Sequence, residues 1–378
     1  MEVRIRRSLF ILAIVGAFLL GAIVMGSVIL ISGGDKPSGV QSDSKFETLK
    51  SYIDQYYLNE YDENELMEYA YKGYVTGLGD PYSAYMTQEE YDSFMASATG
   101  SYSGIGVTFE EDDKGQFIII DVTKDSPAEK AGLKSRDQIL TVDGKTYDDI
   151  EIIAAKIRGK AGTTVKLEYM RGEDIKTVEI VRQKIEQESV EYKMLNGDTG
   201  YIEISSFIDN TSEDFAKALK AVQKKGASNL IIDLRDNGGG LVDESVNVAD
   251  EFLDEGVVCY VEDKNGNSDT YKAKDGKTDL NTVVLINENS ASSSEILAAA
   301  LKDNGYKIIG SKSFGKGIIQ STMELDDGSA LKLTVMEYLS PDKHKIHEKG
   351  VKPDVKIKDK ESTDADEQLD KALEELNE

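Results

Sequence analysis

The sequence predicts an α/β core that contains a smaller β-rich module and is preceded by helices, the first of them long enough to cross a membrane. Three observations carry this prediction. Residues 9–31 hold no charge. Residues 100–182 read as short strands with two short helices, and residues 183–358 alternate buried-strand runs with helical patterns. Strands that alternate with helices along a chain imply a largely parallel sheet covered on its faces.

The N-terminal stretch follows Arg4, Arg6 and Arg7 and spans roughly 35 Å as a helix, enough for a bilayer core. It exceeds a signal-peptide core of about 7–15 residues, and no Ala-x-Ala site follows it. The reading is a retained anchor over a cleaved leader, with residues 1–8 inside the cell and everything after residue 32 outside. Residues 33–45, rich in Gly, Ser and Asp, form a linker. Across 46–99, Phe46, Leu49, Ile53 and Tyr56 fall at helical spacing, as do Leu66, Tyr69, Ala70 and Val75. Thr87-x-x-Glu90 is a capping-box start for a third helix. These aromatics fit either a core or a subunit interface, and core packing is expected for most.

In the module at 100–182, residues 117–122 read as a strand, and Ser126 caps a helix with Pro127 at its first position and Gly132 near its end. Asp143-Gly144 supplies a hairpin turn. In the core at 183–358, strands are expected at 201–207, 230–234, 282–286 and 307–309, with helices at 212–224, 243–253 and 295–302. Residues 359–378 form an acidic tail whose Leu369, Ala372, Leu373 and Leu376 make one helical stripe, suited to docking on the body or on a second subunit.

The chemistry concentrates in the core. Ser292, within Asn289-Ser290-Ala291-Ser292-Ser293-Ser294-Glu295, sits where a strand turns into a helix. Lys316 follows 24 positions later in Gly315-Lys316-Gly317, and Asp233-Leu234-Arg235-Asp236-Asn237-Gly238-Gly239-Gly240 precedes both. A hydroxyl, an amine base and glycine-freed backbone N–H groups are the parts of a serine nucleophile site. Lysine can act as base once burial or a cationic neighbour lowers its pKa from about 10.4 toward 7–8. The only histidines, His344 and His347, lie in a polar segment with no Gly-x-Ser-x-Gly turn, so a Ser-His-Asp triad has little to rest on. Taken alone, Ser292-x-x-Glu295 reads first as a capping box and the glycines first as a plain turn. Residues 310–316 match a phosphate-binding loop for seven positions, but Gly317 stands where Ser or Thr is needed and a strand pattern follows.

With these segments in view, the chain resembles the C-terminal processing peptidases, or tail-specific proteases, which are Ser-Lys endopeptidases with an inserted PDZ domain. The likeness runs from about Phe46 to the tail through Gly79-Asp80-Pro81-Tyr82-Ser83, Gly104-Ile105-Gly106-Val107, Ser126-Pro127-Ala128, Tyr201-Ile202-Glu203-Ile204 and Gly350-Val351-Lys352-Pro353-Asp354. It implies a serine peptidase core of the ClpP/crotonase-like type at 183–358, a PDZ at 100–182 and an N-terminal helical region at 46–99. Position by position, it implies Ser292 as nucleophile, Lys316 as general base, Gln320 as the group that orients the amine, and the N–H groups of Gly240 and Ser293 as the oxyanion hole. The spacing from Ser292 to Lys316 is one residue shorter than the family's, and Ser293 replaces its usual alanine. PDZ modules take chain ends by strand addition, so Ser103, Gly104, Ile105 and Gly106 become the carboxylate loop. Arg158 either adds a charge beside that carboxylate or is a solvated loop residue. The implied activity is a membrane-anchored endopeptidase acting near the C-termini of exported proteins, with a catalytically silent PDZ scaffold as the alternative. Pairing through the N-terminal helices, hence a homodimer, is also implied.

A formal net charge of −26 opposes binding to nucleic-acid phosphates. Cys259, the single cysteine, lies in an apolar run and reads as a buried strand residue. No Cys/His cluster has zinc spacing and no calcium loop is present, so neither metal nor cofactor is expected.

Overall fold

Helical spacing at the start of the described chain produces two helices, α1 (Lys45–Tyr56) and α2 (Glu63–Thr76). A computed structural model describes residues 45–377 except 113, 148, 275–276 and 359–364. The expected membrane helix at 9–31 therefore lies outside the described residues, and among those described no helix is long and apolar enough to cross a membrane. The chain separates into two units, residues 1–67 and 68–378. In the first, α1 has a clear apolar stripe but buries none of its residues: Phe46, Leu49, Tyr52 and Tyr56 are all exposed. In the second, Tyr69 and Tyr74 are exposed while Val75 is buried. The expectation that most of these aromatics pack into a core does not hold.

After β1 (Ala84–Met86), helix α3 (Gln88–Thr99) starts with the expected capping box, Thr87 and Glu90 exchanging side-chain bonds to each other's N–H. Gly100 ends it with φ +63°. Strand β2 (Ser101–Gly104) leads into the β-rich module, made of β3 (Val107–Glu111), β4 (Phe117–Val122), α4 (Pro127–Lys130), β5 (Gln138–Val142), α5 (Ile150–Ile157), β6 (Thr164–Arg171) and β7 (Asp174–Val181). The five strands form one antiparallel sheet in chain order around Ile105, Ile119, Leu133, Val165 and Leu167. β3 is its open edge. The Asp143-Gly144 turn has positive φ at both residues, as a tight hairpin requires. The chain leaves the module through β8 (Gln183–Glu186), which pairs with β2, so entry and exit form one two-stranded ribbon.

The core then runs β9 (Val190–Met194), β10 (Thr199–Ile204), α6 (Thr211–Lys224), β11 (Asn229–Asp233), α7 (Val242–Asp250), β12 (Gly256–Asp263), β13 (Ser268–Ala273), β14 (Asn281–Ile286), α8 (Ser293–Asp303), β15 (Lys307–Gly310), β16 (Ile318–Glu324), β17 (Ala330–Leu339), β18 (Val355–Lys356) and α9 (Glu367–Leu376). One six-stranded sheet has the order β18-β15-β14-β11-β10-β9, parallel except for β9. Its strands read as unbroken apolar runs because both faces are covered. Leu230, Ile232 and Val284 pack against Phe215, Leu219 and Val222 of α6 and against α7 and α8. Ile231, Val283, Leu285 and Ile309 point the other way and pack against Ala372 and Leu376 of α9. The C-terminal stripe thus docks on its own sheet. A second sheet runs β1-β17-β12-β13, with β16 also paired to β17. Cys259 is buried in β12, where burial pushes its thiol up to about 12.

Candidate active site

Ser292 stands at the carboxyl end of β14, where the parallel strand turns into α8, and the glycine loop after β11 occupies the neighbouring strand end. The ends of adjacent parallel strands are where open α/β sheets place their chemistry. The turn is sharp: Ser292 has φ +55° and ψ −117°, a conformation that costs a non-glycine residue about 1–3 kcal/mol. Surrounding bonds hold it there. Asn237, fully buried, donates to the Ile204 carbonyl, accepts Gly239 N–H, and offers its own carbonyl to Ala291 N–H and the Ser294 hydroxyl. Ser290 donates to the Leu234 carbonyl at 2.7 Å and Ser293 to the Gly240 carbonyl at 2.8 Å. Three of the four clustered serines therefore spend their hydroxyls on backbone carbonyls. Ser292 is half-buried and, unlike the other three, its hydroxyl donates to no acceptor among the described residues.

The capping box read at Ser292-x-x-Glu295 forms, but it is only part of what Glu295 does. The Glu295 carboxylate does accept Ser292 N–H at 3.0 Å, while Glu295 N–H goes to the Ser292 carbonyl. The same carboxylate, fully buried, also accepts Lys316 N–H at 2.8 Å, Gly315 N–H at 2.7 Å and the Ser313 hydroxyl. It fastens the serine turn to the lysine loop. Tyr338, on β17 and fully buried, places its hydroxyl 2.8 Å from the Ser292 carbonyl and 2.7 Å from that of Lys316. Burial drives its pKa far up, so it stays a donor. Asn237, Glu295 and Tyr338 escaped the sequence reading as members of the site. Only the capping pattern at Glu295 gave any signal.

Gly239 and Gly240 have φ +100° and +142°. A Cβ on Gly239 would lie 2.7 Å from Ser292 Cβ and 2.9 Å from Ser293 N, and one on Gly240 would lie 2.0 Å from the Phe207 carbonyl oxygen. Side chains are excluded at both positions, and the backbone approaches the serine turn directly. Neither Gly240 N–H nor Ser293 N–H has an acceptor among the described residues. Two free donors beside a free hydroxyl are what a developing oxyanion needs.

Lys316 precedes β16 and is half-buried. Burial, helped by the nearby Lys332 ammonium, lowers its pKa, while Asp80 and Glu295 pull the other way. Its Nζ lies 5.0 Å from the centroid of the Tyr82 ring and makes no hydrogen bond among the described residues. The expected contact with Gln320 is not formed. Gln320 follows an irregularity in the β16–β17 register, and its amide reaches Thr334 Oγ1 at 3.4 Å. Neither histidine bonds to Ser292: His344 is exposed near Asp303, and His347 packs its backbone on Gly317. Residues 310–317 lead into a strand, so the phosphate-loop match has no helix behind it.

A groove of about 420 Å³ is lined by Val107, Thr108 and Phe109 of β3 and by Ile150, Ala154 and Arg158 in and after α5, and is walled on its other side by Ala96 and Ser97 of α3, Tyr102 of β2 and Gln187. Ser103 and Gly104 belong to the β2–β8 ladder, so only Ile105 and Gly106 are left as loop. Gly106 takes φ +80°, and the N–H groups of Ile105 and Gly106 have no acceptor among the described residues. The exposed Arg158 guanidinium lies 5.5 Å from the Tyr102 ring centroid.

Comparison with known proteins meets this geometry. Residues 198–357 match the model of Peptidase family S41, residues 103–181 a PDZ domain, and residues 32–90 the activating protease CtpB N-terminal domain. The chain is 40% identical over 362 residues to the carboxy-terminal processing protease CtpA of Bacillus subtilis (strain 168), covering 92% of this chain and 77% of that protein. It is 39% identical over 361 residues to a protein of Staphylococcus haemolyticus named "Probable CtpA-like serine protease", covering 92% and 72%. Among solved structures it is similar to a photosystem II D1 C-terminal processing protease, with TM-score 0.50 and 29% identity over 83% of this chain and 86% of that one.

Proposed function

The chain belongs to peptidase family S41, as a carboxy-terminal processing serine protease with a PDZ domain, and on that premise we propose that it is a membrane-anchored Ser-Lys endopeptidase that processes exported proteins near their C-termini. One observation carries the assignment of the nucleophile: among four clustered serines, the strained Ser292 alone, among the described residues, does not donate its hydroxyl to an acceptor.

In this reading Ser292 Oγ attacks the scissile carbonyl carbon while its proton passes to neutral Lys316. The Gly240 and Ser293 N–H groups take the oxyanion. The C–N bond then breaks as the Lys316 ammonium returns the proton to the leaving amine, and water repeats the sequence on the acyl-enzyme. Gln320 orients the amine once it turns from Thr334. The PDZ gates the reaction by adding the substrate tail to the open edge of β3, with Ile105, Gly106 and Arg158 facing its carboxylate and Ser103 and Gly104 supporting the turn. Residues 9–32 hold the enzyme in the cell membrane, N-terminus inside, and two copies pair through the helices of residues 46–99. A serine-directed phosphonate followed by peptide mass spectrometry tests the nucleophile. The adduct is expected on Ser292, and an adduct on Ser290, Ser293 or Ser294 would move it.

A further inference from the structure

Lys316 Nζ makes no hydrogen bond to Ser292 and sits over the Tyr82 ring, which belongs to one turn. Residues 79–83 precede β1, and Asp80 closes the turn on itself, accepting Tyr82 N–H at 3.0 Å and the Ser83 hydroxyl at 2.5 Å. Ser83 Oγ in turn accepts Thr334 N–H at 3.0 Å, and Thr334 Oγ1 is the atom that receives the Gln320 amide. The turn therefore reaches both members of the expected lysine–glutamine pair: it carries the ring under Lys316 Nζ and is tied to the residue that occupies Gln320. The charged groups facing Lys316 are Asp80 from this turn, Lys332 from β17 and Glu295 from α8, whose oxygens are already occupied by four donors. His347 lies near enough to Asp80 to favour its carboxylate, and its Nδ1 is buried without a hydrogen-bond partner among the described residues.

An aromatic face attracts an ammonium but offers a neutral amine almost nothing. The Tyr82 station therefore favours the form of Lys316 that cannot accept a proton. Resting on the dyad reading above, we propose that turn 79–83 parks the base: Tyr82 holds the Lys316 ammonium on its ring, with Asp80 beside it, so that the enzyme rests with its lysine charged and away from Ser292 until substrate draws it across. Tyr82 is then a positioning residue that acts through Lys316 and restrains the free enzyme. A partly desolvated cation–ring contact of this kind biases the two lysine positions by about 5- to 30-fold, small enough for a bound peptide to reverse.

The test is the rate at which a small fluorophosphonate labels Ser292 in the full-length protein without substrate, measured across pH for the parent, Tyr82→Phe, Tyr82→Leu and Lys316→Ala. Tyr82→Phe keeps the ring face and is expected to behave as the parent. Tyr82→Leu is expected to label about 5- to 30-fold faster at neutral pH, with its pH midpoint moved down, because the ring no longer favours the charged lysine. If the leucine variant does not fold, Tyr82→Met carries the same expectation. Labelling of Tyr82→Leu at or below the parent rate with an unmoved midpoint would overturn the proposal, since a ring that holds the ammonium must favour the charged lysine while it is present. Parent-like labelling in Lys316→Ala would instead remove the dyad on which the proposal stands, so the two failures are distinct.

Discussion

Glu295 shows how much one side chain can organise. Its carboxylate accepts bonds from Ser292, Ser313, Gly315 and Lys316 inside a fully buried site. An amide in its place has one acceptor oxygen and turns an NH₂ toward N–H donors. Glu295→Gln should therefore cost roughly 3 kcal/mol in urea unfolding and reduce activity further by loosening the lysine loop. At Lys316 the pH argument has a definite sign. Its folded pKa is lowered, so between the folded and unfolded values the unfolded chain binds more protons, and stability contributed by this group rises with pH. Activity needs the neutral amine. kcat/KM should rise with pH through a midpoint below that of free lysine, and His344→Ala and His347→Ala should both retain that limb. A limb lost with either histidine, folding being unchanged, would contradict the lysine base.

At the scale of elements, the parts legible in the sequence were those set by local pattern. Unbroken apolar runs gave β10, β11, β14 and β15 to within a few residues, and cap chemistry gave the starts of α3 and α4. The apolar run around Cys259 also gave β12, whereas β13 and β17 carry mixed burial patterns and no run of that kind, so they were not anticipated. The braces of the site were illegible for another reason: their partners are distant in sequence. Tyr338 lies 46 positions from Ser292, and Thr334 lies 251 from Ser83. The pairing of Lys316 with Gln320 was implied by the family resemblance, but the register irregularity and the Tyr82 ring set other partners. Two consequences belong at this scale. Gly240→Ala would push a methyl against the Phe207 carbonyl and displace an oxyanion donor, so activity should fall at least about 100-fold while the fold, followed by circular dichroism, survives. Ala372→Asp would place a charge against the buried face of the six-stranded sheet and should lower unfolding stability by several kcal/mol, roughly 3 or more.

Across the whole molecule, the β2–β8 ribbon joins the PDZ module to the peptidase core. In the proposed reading, the groove beside β3 receives the substrate's chain end. If tail recognition controls cleavage, amidating a long substrate's C-terminus should raise KM or lower kcat, and deleting residues 100–182 should erase the difference. Equal cleavage of the acid and amide forms by the intact enzyme would leave the PDZ without that role. The central claim is that Ser292 and Lys316 act as one unit. It is tested most directly by the turnover of an unstructured peptide by the parent, Ser292→Ala and Lys316→Ala, with products identified by mass and folding checked by circular dichroism. The account predicts that each substitution lowers kcat/KM by at least about a thousandfold and that combining them adds little more. Turnover within about tenfold of the parent in either folded single variant would contradict it.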